Sequence, residues 1–151
     1  MFNIKEVVFH KKLGLCLIKE ISVINYLDYY VLNSNNDKSK IMIPVRNANI
    51  LIRKVSNKEE IEKLKEYISS YNVEVIHDFK TRIKHYDELL KTGELEKLVK
   101  LIKTIYEQKQ EYNLSNADKE ILKKAEDLLY SEISYVMKID EKDVKKYLYN
   151  K

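Results

Sequence analysis

Three histidines, His10, His77 and His85, and a single cysteine, Cys16, are the side chains best suited to hold a metal or act as a nucleophile. None falls in an HExxH or CxxC arrangement. His77 and His85 share roughly one helical face with Asp78 beside the first, a spacing that two solvated histidines explain as simply as a metal pair. Cys16 lies inside an apolar run, where a packed thiol is expected. A nucleophile there needs an adjacent base, and the sequence places none. The carboxylates alternate with lysines, as in Glu59, Glu60, Glu62, Lys63, Lys65 and Glu66. That pattern reads as a solvated helical face with i,i+4 pairs, not as a general acid and base. The two glycines, Gly14 and Gly93, are too far apart to cradle phosphate, which excludes a P-loop and a dinucleotide fingerprint. No constellation supports catalysis. The expectation is a non-enzyme with no cofactor, no metal and no small-molecule substrate.

Charge narrows the remaining classes. The chain of 151 residues carries a formal net charge of +4. Residues 1–56 hold nine basic and four acidic side chains, whereas residues 57–151 hold nineteen basic and twenty acidic. Any grip on nucleic acid must therefore come from a local patch rather than from a basic domain. Only three of the basic residues are arginines, Arg46, Arg53 and Arg82, so planar forks for phosphate are scarce and Arg82 is the first to test. Most of the twelve tyrosines fall on apolar stripes or in strands, which assigns them to the core or its margins rather than to base stacking. No stretch approaches the length of a membrane span or a signal peptide, and one cysteine suits a reducing compartment. The expected location is the cytoplasm, with no membrane partner.

The elements that must carry these residues change period near residue 56. Residues 1 to about 55 show short β-branched and aromatic clusters at Val7–Phe9, Leu15–Ile18, Tyr29–Leu32 and Ile41–Val45, separated by polar turns. Four or five such strands without a helical pattern predict a small antiparallel sheet or barrel. Pro44 cannot donate to a ladder, which puts its strand at an edge or a bulge. Ser56 and Glu59 have capping-box spacing and predict a helix start. Apolar stripes follow at Ile61, Leu64, Ile68; at Ile76, Phe79, Ile83, Tyr86, Leu90; and at Leu95, Leu98, Ile102, Ile105. Gly93 suits a left-handed helix end. Ser115 and Asp118 open a fourth helix and Asp140 a short last one. The fold class is α+β: a β-module over 1–56 and a compact helical bundle over 57–151.

Three segments, in order, resemble a known family. Lys40-Ile41-Met42-Ile43-Pro44-Val45-Arg46-Asn47-Ala48 is similar to the KIMVPV-x-NA strand of CarD-like bacterial transcription regulators. Phe79-Lys80-Thr81-Arg82 through Leu90-Lys91-Thr92-Gly93-Glu94 resembles that family's W-x-RR…K-SGD segment. Leu114-Ser115 through Lys119, then Leu122, Ala125, Leu128, Leu129, Glu132 and Val136, resembles its LS-x-x-EK-x-x-L-x-x-A block.

The resemblance implies an RNA polymerase-interacting, Tudor-like β-module of the kind also found in the transcription-repair coupling factor. This chain is far too short for that factor's motors and has no P-loop. The module is expected to dock on the polymerase β subunit through Ile41, Met42, Ile43, Pro44, Val45 and Arg46. The helical part is expected to contact promoter DNA at the upstream edge of the melted bubble, modulating open-complex stability. That would place the chain at the nucleoid through the polymerase. Carried over by position, the family's tryptophan wedge is Phe79, and the basic DNA contacts are Lys80, Arg82, Lys84 and Lys119. Phenylalanine lacks the indole N–H, and Thr81 replaces a second arginine. Phe79 also lies on an apolar stripe, which would place it in the core, so wedge and core stand as alternatives. A polymerase-binding module with little or no DNA contact is the alternative function. In place of the usual VVYP and H-G-x-G turn, Val7-Val8-Phe9 is followed by His10-Lys11-Lys12-Leu13-Gly14-Leu15-Cys16, with the proline absent and Cys16 at the second glycine, which predicts a different turn.

Overall fold

The computed structural model describes residues 1–149, which form two compact units, one ending at Val55 and the other beginning at Ser56. The architecture is α+β.

The first unit is an antiparallel sheet of β1 (Val7–His10), β2 (Gly14–Ile24), β3 (Leu27–Ser34), β4 (Lys40–Pro44) and β5 (Ile52–Lys54), in the order β4-β3-β2-β1-β5. A 3-10 segment, Val45–Ile50, links β4 to β5. Pro44 sits on the edge strand β4, where a missing N–H leaves no inner ladder broken. Strand alternation sends Val8, Cys16, Ile18, Tyr30, Leu32, Ile43 and Ile52 into one core, which Ala48 of the 3-10 segment joins. Burying side chains such as Ile18 and Leu32, both 0% exposed, contributes on the order of 2 kcal/mol each. Cys16 is one of these packed residues. Burial, aided by Asp37, pushes its thiol pKa up to about 11, so it stays protonated.

Two features of this unit carry more than the sequence expectation. First, β2 runs on to Ile24 and pairs with β3 as far as Ile24–Leu27, past a register shift between Ile18 and Glu20. The connecting residues Asn25 and Tyr26 both have positive φ, 50° and 67°. That is the backbone of a type I′ hairpin turn, in which a bulky tyrosine costs roughly 1–2 kcal/mol. Second, the turn after β1 is closed by a side chain. His10 Nδ1 accepts the N–H groups of Lys12 (3.1 Å) and Leu13 (3.2 Å), and Gly14 then starts β2 at φ 81°. A histidine acceptor thus closes this turn.

The second unit holds α1 (Lys58–Ser70), α2 (Phe79–Thr92), α3 (Leu95–Glu111), α4 (Asn116–Met137) and α5 (Glu141–Tyr149). Helix α3 is the central one: Leu98, Val99, Leu101, Ile102, Thr104, Ile105 and Gln108 are all buried, and it packs against α1, α2 and α4. The cap of α1 is Asn57 with Glu60, one residue later than Ser56 with Glu59. Ser56 is used elsewhere: its N–H donates to the buried carboxylate of Glu132 at 2.9 Å. Helix α1 ends without a glycine because Lys103 Nζ donates to the carbonyls of Ile68 (2.6 Å) and Tyr71. Gly93 ends α2 in the left-handed region at φ 64°, and Ser115 with Asp118 forms the capping box of α4, both as the sequence spacing indicates.

The stripe read for α2 is displaced. Residues 71–78 are not helical, and α2 buries Arg82, Tyr86 and Leu89, not Phe79, Ile83 and Leu90. The inward face begins with a cation, which a purely apolar pattern passes over.

Candidate functional site

Helix α2 begins abruptly because Asp78 caps it. The Asp78 carboxylate accepts the Thr81 N–H (3.0 Å) and the Thr81 hydroxyl (2.7 Å). Thr81 thus completes a helix cap. These bonds, with help from Arg82, hold the Asp78 carboxyl below its usual range. Phe79 is the first residue of α2 and is 50% exposed, so the core alternative for this ring does not hold. Lys80, Lys84 and, on α4, Lys119 are exposed, as a phosphate contact requires.

Arg82 is not among them. It is 4% exposed, and its fork is spent inside the bundle. Nε donates to Asp118 Oδ1 at 3.1 Å and Nη2 to Oδ2 at 3.2 Å, while Nη1 reaches the Tyr112 hydroxyl (3.2 Å) and the His77 carbonyl (3.4 Å). The expected Arg82–DNA contact is therefore corrected: a guanidinium held on all three nitrogens and 4% exposed presents no open donor to a phosphate. Its outer face lies under Phe79, with Cζ 5.2 Å from the ring centroid.

Asp118 gathers the site. Its Oδ2 accepts the N–H (2.9 Å) and hydroxyl (2.8 Å) of Ser115 and the Gln108 amide (2.9 Å), and Gln108 in turn accepts the Tyr86 hydroxyl at 2.6 Å. Burial alone would raise the Asp118 pKa. The Ser115 N–H, Arg82 and the Ser115 and Gln108 side chains outweigh it and leave the carboxyl below its usual range. Burial likewise opposes the charge on Arg82, and Asp118 overcomes it to raise the Arg82 pKa. The pair is thus fully ionised and joins α2 to the start of α4, which carries Lys119. Beside it, at the α3–α4 turn, lies an open cleft of about 520 Å³ lined by Lys109, Lys119 and Lys123 together with Leu114, Leu122 and Glu126.

In the sheet unit the six residues expected to meet a partner divide by strand alternation. Ile43 is buried in the core, so it can meet a partner only through the main chain of the edge strand. Ile41 packs partly on the core, Pro44 and Val45 are half-buried, and Met42 and Arg46 are exposed. The register puts Met42, Pro44, Tyr29, Ile24 and Leu27 on the sheet face opposite the core cluster. Ile21, Val23 and a fully exposed Tyr26 complete an apolar hairpin tip. The sequence concealed this tip, because Asn25-Tyr26 is not a recognisable hairpin turn.

Residues 2–56 match the CarD-like/TRCF RID domain, and residues 63–149 match the CarD C-terminal domain. The chain belongs to the CarD family. A CarD-family relative from Bacillus subtilis (strain 168), YdeB, whose name marks it as a candidate transcription factor, is 25% identical over 154 residues, spanning 97% of this chain and 99% of its own. Both matched domains are of transcription-factor and interaction type rather than enzymes, and the RID type is a polymerase-interacting module. The role of this CarD-family chain is accordingly in transcription, with RNA polymerase as the partner class.

Among the described residues no cluster of three or more His, Cys, Asp or Glu side chains could hold a metal ion. His77 instead faces Glu111 at 3.9 Å on the surface. Among the described residues no helix is long and apolar enough to cross a membrane. Sequence reasoning missed Asp118, Gln108 and Tyr112 as parts of the site. The one signal for Asp118 was its place in the capping box, which hid its second role.

Proposed function

We propose that this CarD-family protein binds the β subunit of RNA polymerase through its sheet and contacts promoter DNA at the upstream edge of the bubble through its helical unit. Phe79 serves as the minor-groove wedge there. Lys80, Lys84 and Lys119 contact phosphates, and the complex formed changes the lifetime of the open promoter. The observation that carries the reading is the half-exposed Phe79 ring at a helix start, braced from below by Arg82 and adjoined by exposed lysines. An apolar ring inserted at a base step holds it unstacked, and nearby cations attract the flanking phosphates. On the polymerase side, edge strand β4 can extend a partner's sheet through its main chain, and the row from Met42 to Leu27 supplies apolar contact beside it.

The test has two parts. Polymerase β should be retained by the protein and lost when Met42 and Leu27 are both changed to Asp. Open-complex lifetime should change at least several-fold with Phe79→Ala; an unchanged lifetime rules out the wedge.

A second reading, a polymerase-binding module without DNA contact, draws on the charge of residues 57–151, nineteen basic against twenty acidic, and on the loss of Arg82 as a surface cation. Under it, polymerase retention persists while Phe79→Ala and Lys84→Ala leave promoter complexes unaltered.

A further inference from the structure

We propose that Asp118 is a positioning residue for the Phe79 ring, acting through Arg82. Its functional meaning rests on the wedge reading, but its geometry does not. A half-exposed phenylalanine in the first turn of a helix has few packed neighbours to fix its rotamer, and a mobile wedge loses binding energy when it is ordered on DNA. Among the described residues the ring has one charged support, the guanidinium 5.2 Å beneath it. An arginine side chain is itself flexible, so it can seat a ring only if its plane is fixed from elsewhere.

Asp118 fixes it. Both carboxylate oxygens engage the fork, at 3.1 and 3.2 Å, in the two-point geometry that defines a plane. The remaining nitrogen, Nη1, is held by the Tyr112 hydroxyl and the His77 carbonyl. Asp118 cannot swing with the arginine, because Ser115 and Gln108 hold it from the other side and it is 0% exposed. The chain of contacts thus runs from a helix cap on α4, through a buried ion pair, to an exposed ring on α2. A purely structural Asp118 would set the stability of the bundle and leave the surroundings of Phe79 unaffected.

Fluorine NMR separates the two, because the chain has only three phenylalanines and the other two, Phe2 and Phe9, lie in the sheet unit. The full chain is labelled with 4-fluorophenylalanine, and the Phe79 line is identified by its loss in Phe79→Leu. Asp118→Asn keeps the shape and removes the charge; Arg82→Lys keeps the charge and removes the planar fork. In both variants the Phe79 line is expected to move toward that of free fluorophenylalanine, with the Phe2 and Phe9 lines unmoved and helical circular dichroism retained. A Phe79 line that stays in place in either folded variant overturns the proposal, since the route needs both residues. If Asp118→Asn fails to fold, Asp118→Glu takes its place: it keeps the charge and displaces the carboxylate from the fork, and an unmoved Phe79 line in that folded variant overturns the proposal. The measurement contains no DNA. A moved line combined with an unchanged open-complex lifetime would therefore sink the wedge reading and leave the positioning intact.

Discussion

The N–H of Ser56 donates to the carboxylate of Glu132 at 2.9 Å, across 76 positions of sequence. Glu132 is 0% exposed, so the start of the helical unit is pinned to the C-terminal half of its longest helix by a buried carboxyl group. Hydrogen bonds to charged groups are worth about 1.5–3 kcal/mol, and an orphaned buried N–H adds to the loss. Glu132→Ala should lower the stability of the helical unit by about 2–3 kcal/mol. Urea unfolding followed by helical circular dichroism measures it, and a midpoint unchanged from wild type would show the bond to be idle.

Acid should act through Asp118. Its folded pKa is depressed below the unfolded reference of 3.8, so its contribution is fully present above that value and is lost as pH falls through the folded one. Asp118→Asn has no such proton to take up. Thermal midpoints measured from neutral pH downward should drop less steeply in Asp118→Asn than in wild type once pH passes below that reference. Parallel curves would mean that other carboxylates carry the acid limb.

The sheet unit should have a separate sensitivity at milder pH. His10 can accept two N–H groups at Nδ1 only while that nitrogen is unprotonated. Burial first, and Lys12 second, lower its pKa from 6.5. The folded state therefore resists the proton. The contribution is complete above 6.5 and is lost as pH falls through the folded value. Nitrogen NMR should find the proton of the neutral ring on Nε2, and the Lys12 and Leu13 amide signals should shift together as the ring titrates. A ring protonated at Nδ1 near neutral pH contradicts the turn.

What the sequence made legible was local. Strand clusters, the edge placement of Pro44, the left-handed Gly93 and the Ser115–Asp118 cap each depend on residues a few positions apart, and each is in place. What it hid depends on partners far along the chain. Arg82 looked like a surface cation because Asp118, which buries it, is 36 positions away and already accounted for as a cap. Phe79 kept core as an alternative to wedge because an apolar stripe was drawn through it, when the true inward face of α2 opens with that arginine. Ser56 looked like a cap because Glu59 has the right spacing, whereas Glu132 claims its N–H. Charged residues that face inward defeat a reading built on apolar periodicity, and here they are the ones that shape the site.

The last prediction uses that correction to separate DNA contacts from their support. Each exposed lysine that meets a duplex phosphate releases counterions, and its removal lowers the slope of log affinity against log salt by about 0.9. Lys80→Ala, Lys84→Ala and Lys119→Ala should each do so for promoter binding by the polymerase complex, with little change in unfolding midpoint, because all three side chains are exposed. Arg82→Ala should behave in the opposite way. It leaves the Asp118 charge buried without its partner, which costs about 3–5 kcal/mol, and it removes no phosphate contact. The salt slope should therefore stay at the wild-type value while the unfolding midpoint falls. A reduced slope for Arg82→Ala at a temperature where the variant is folded would return that arginine to the DNA surface.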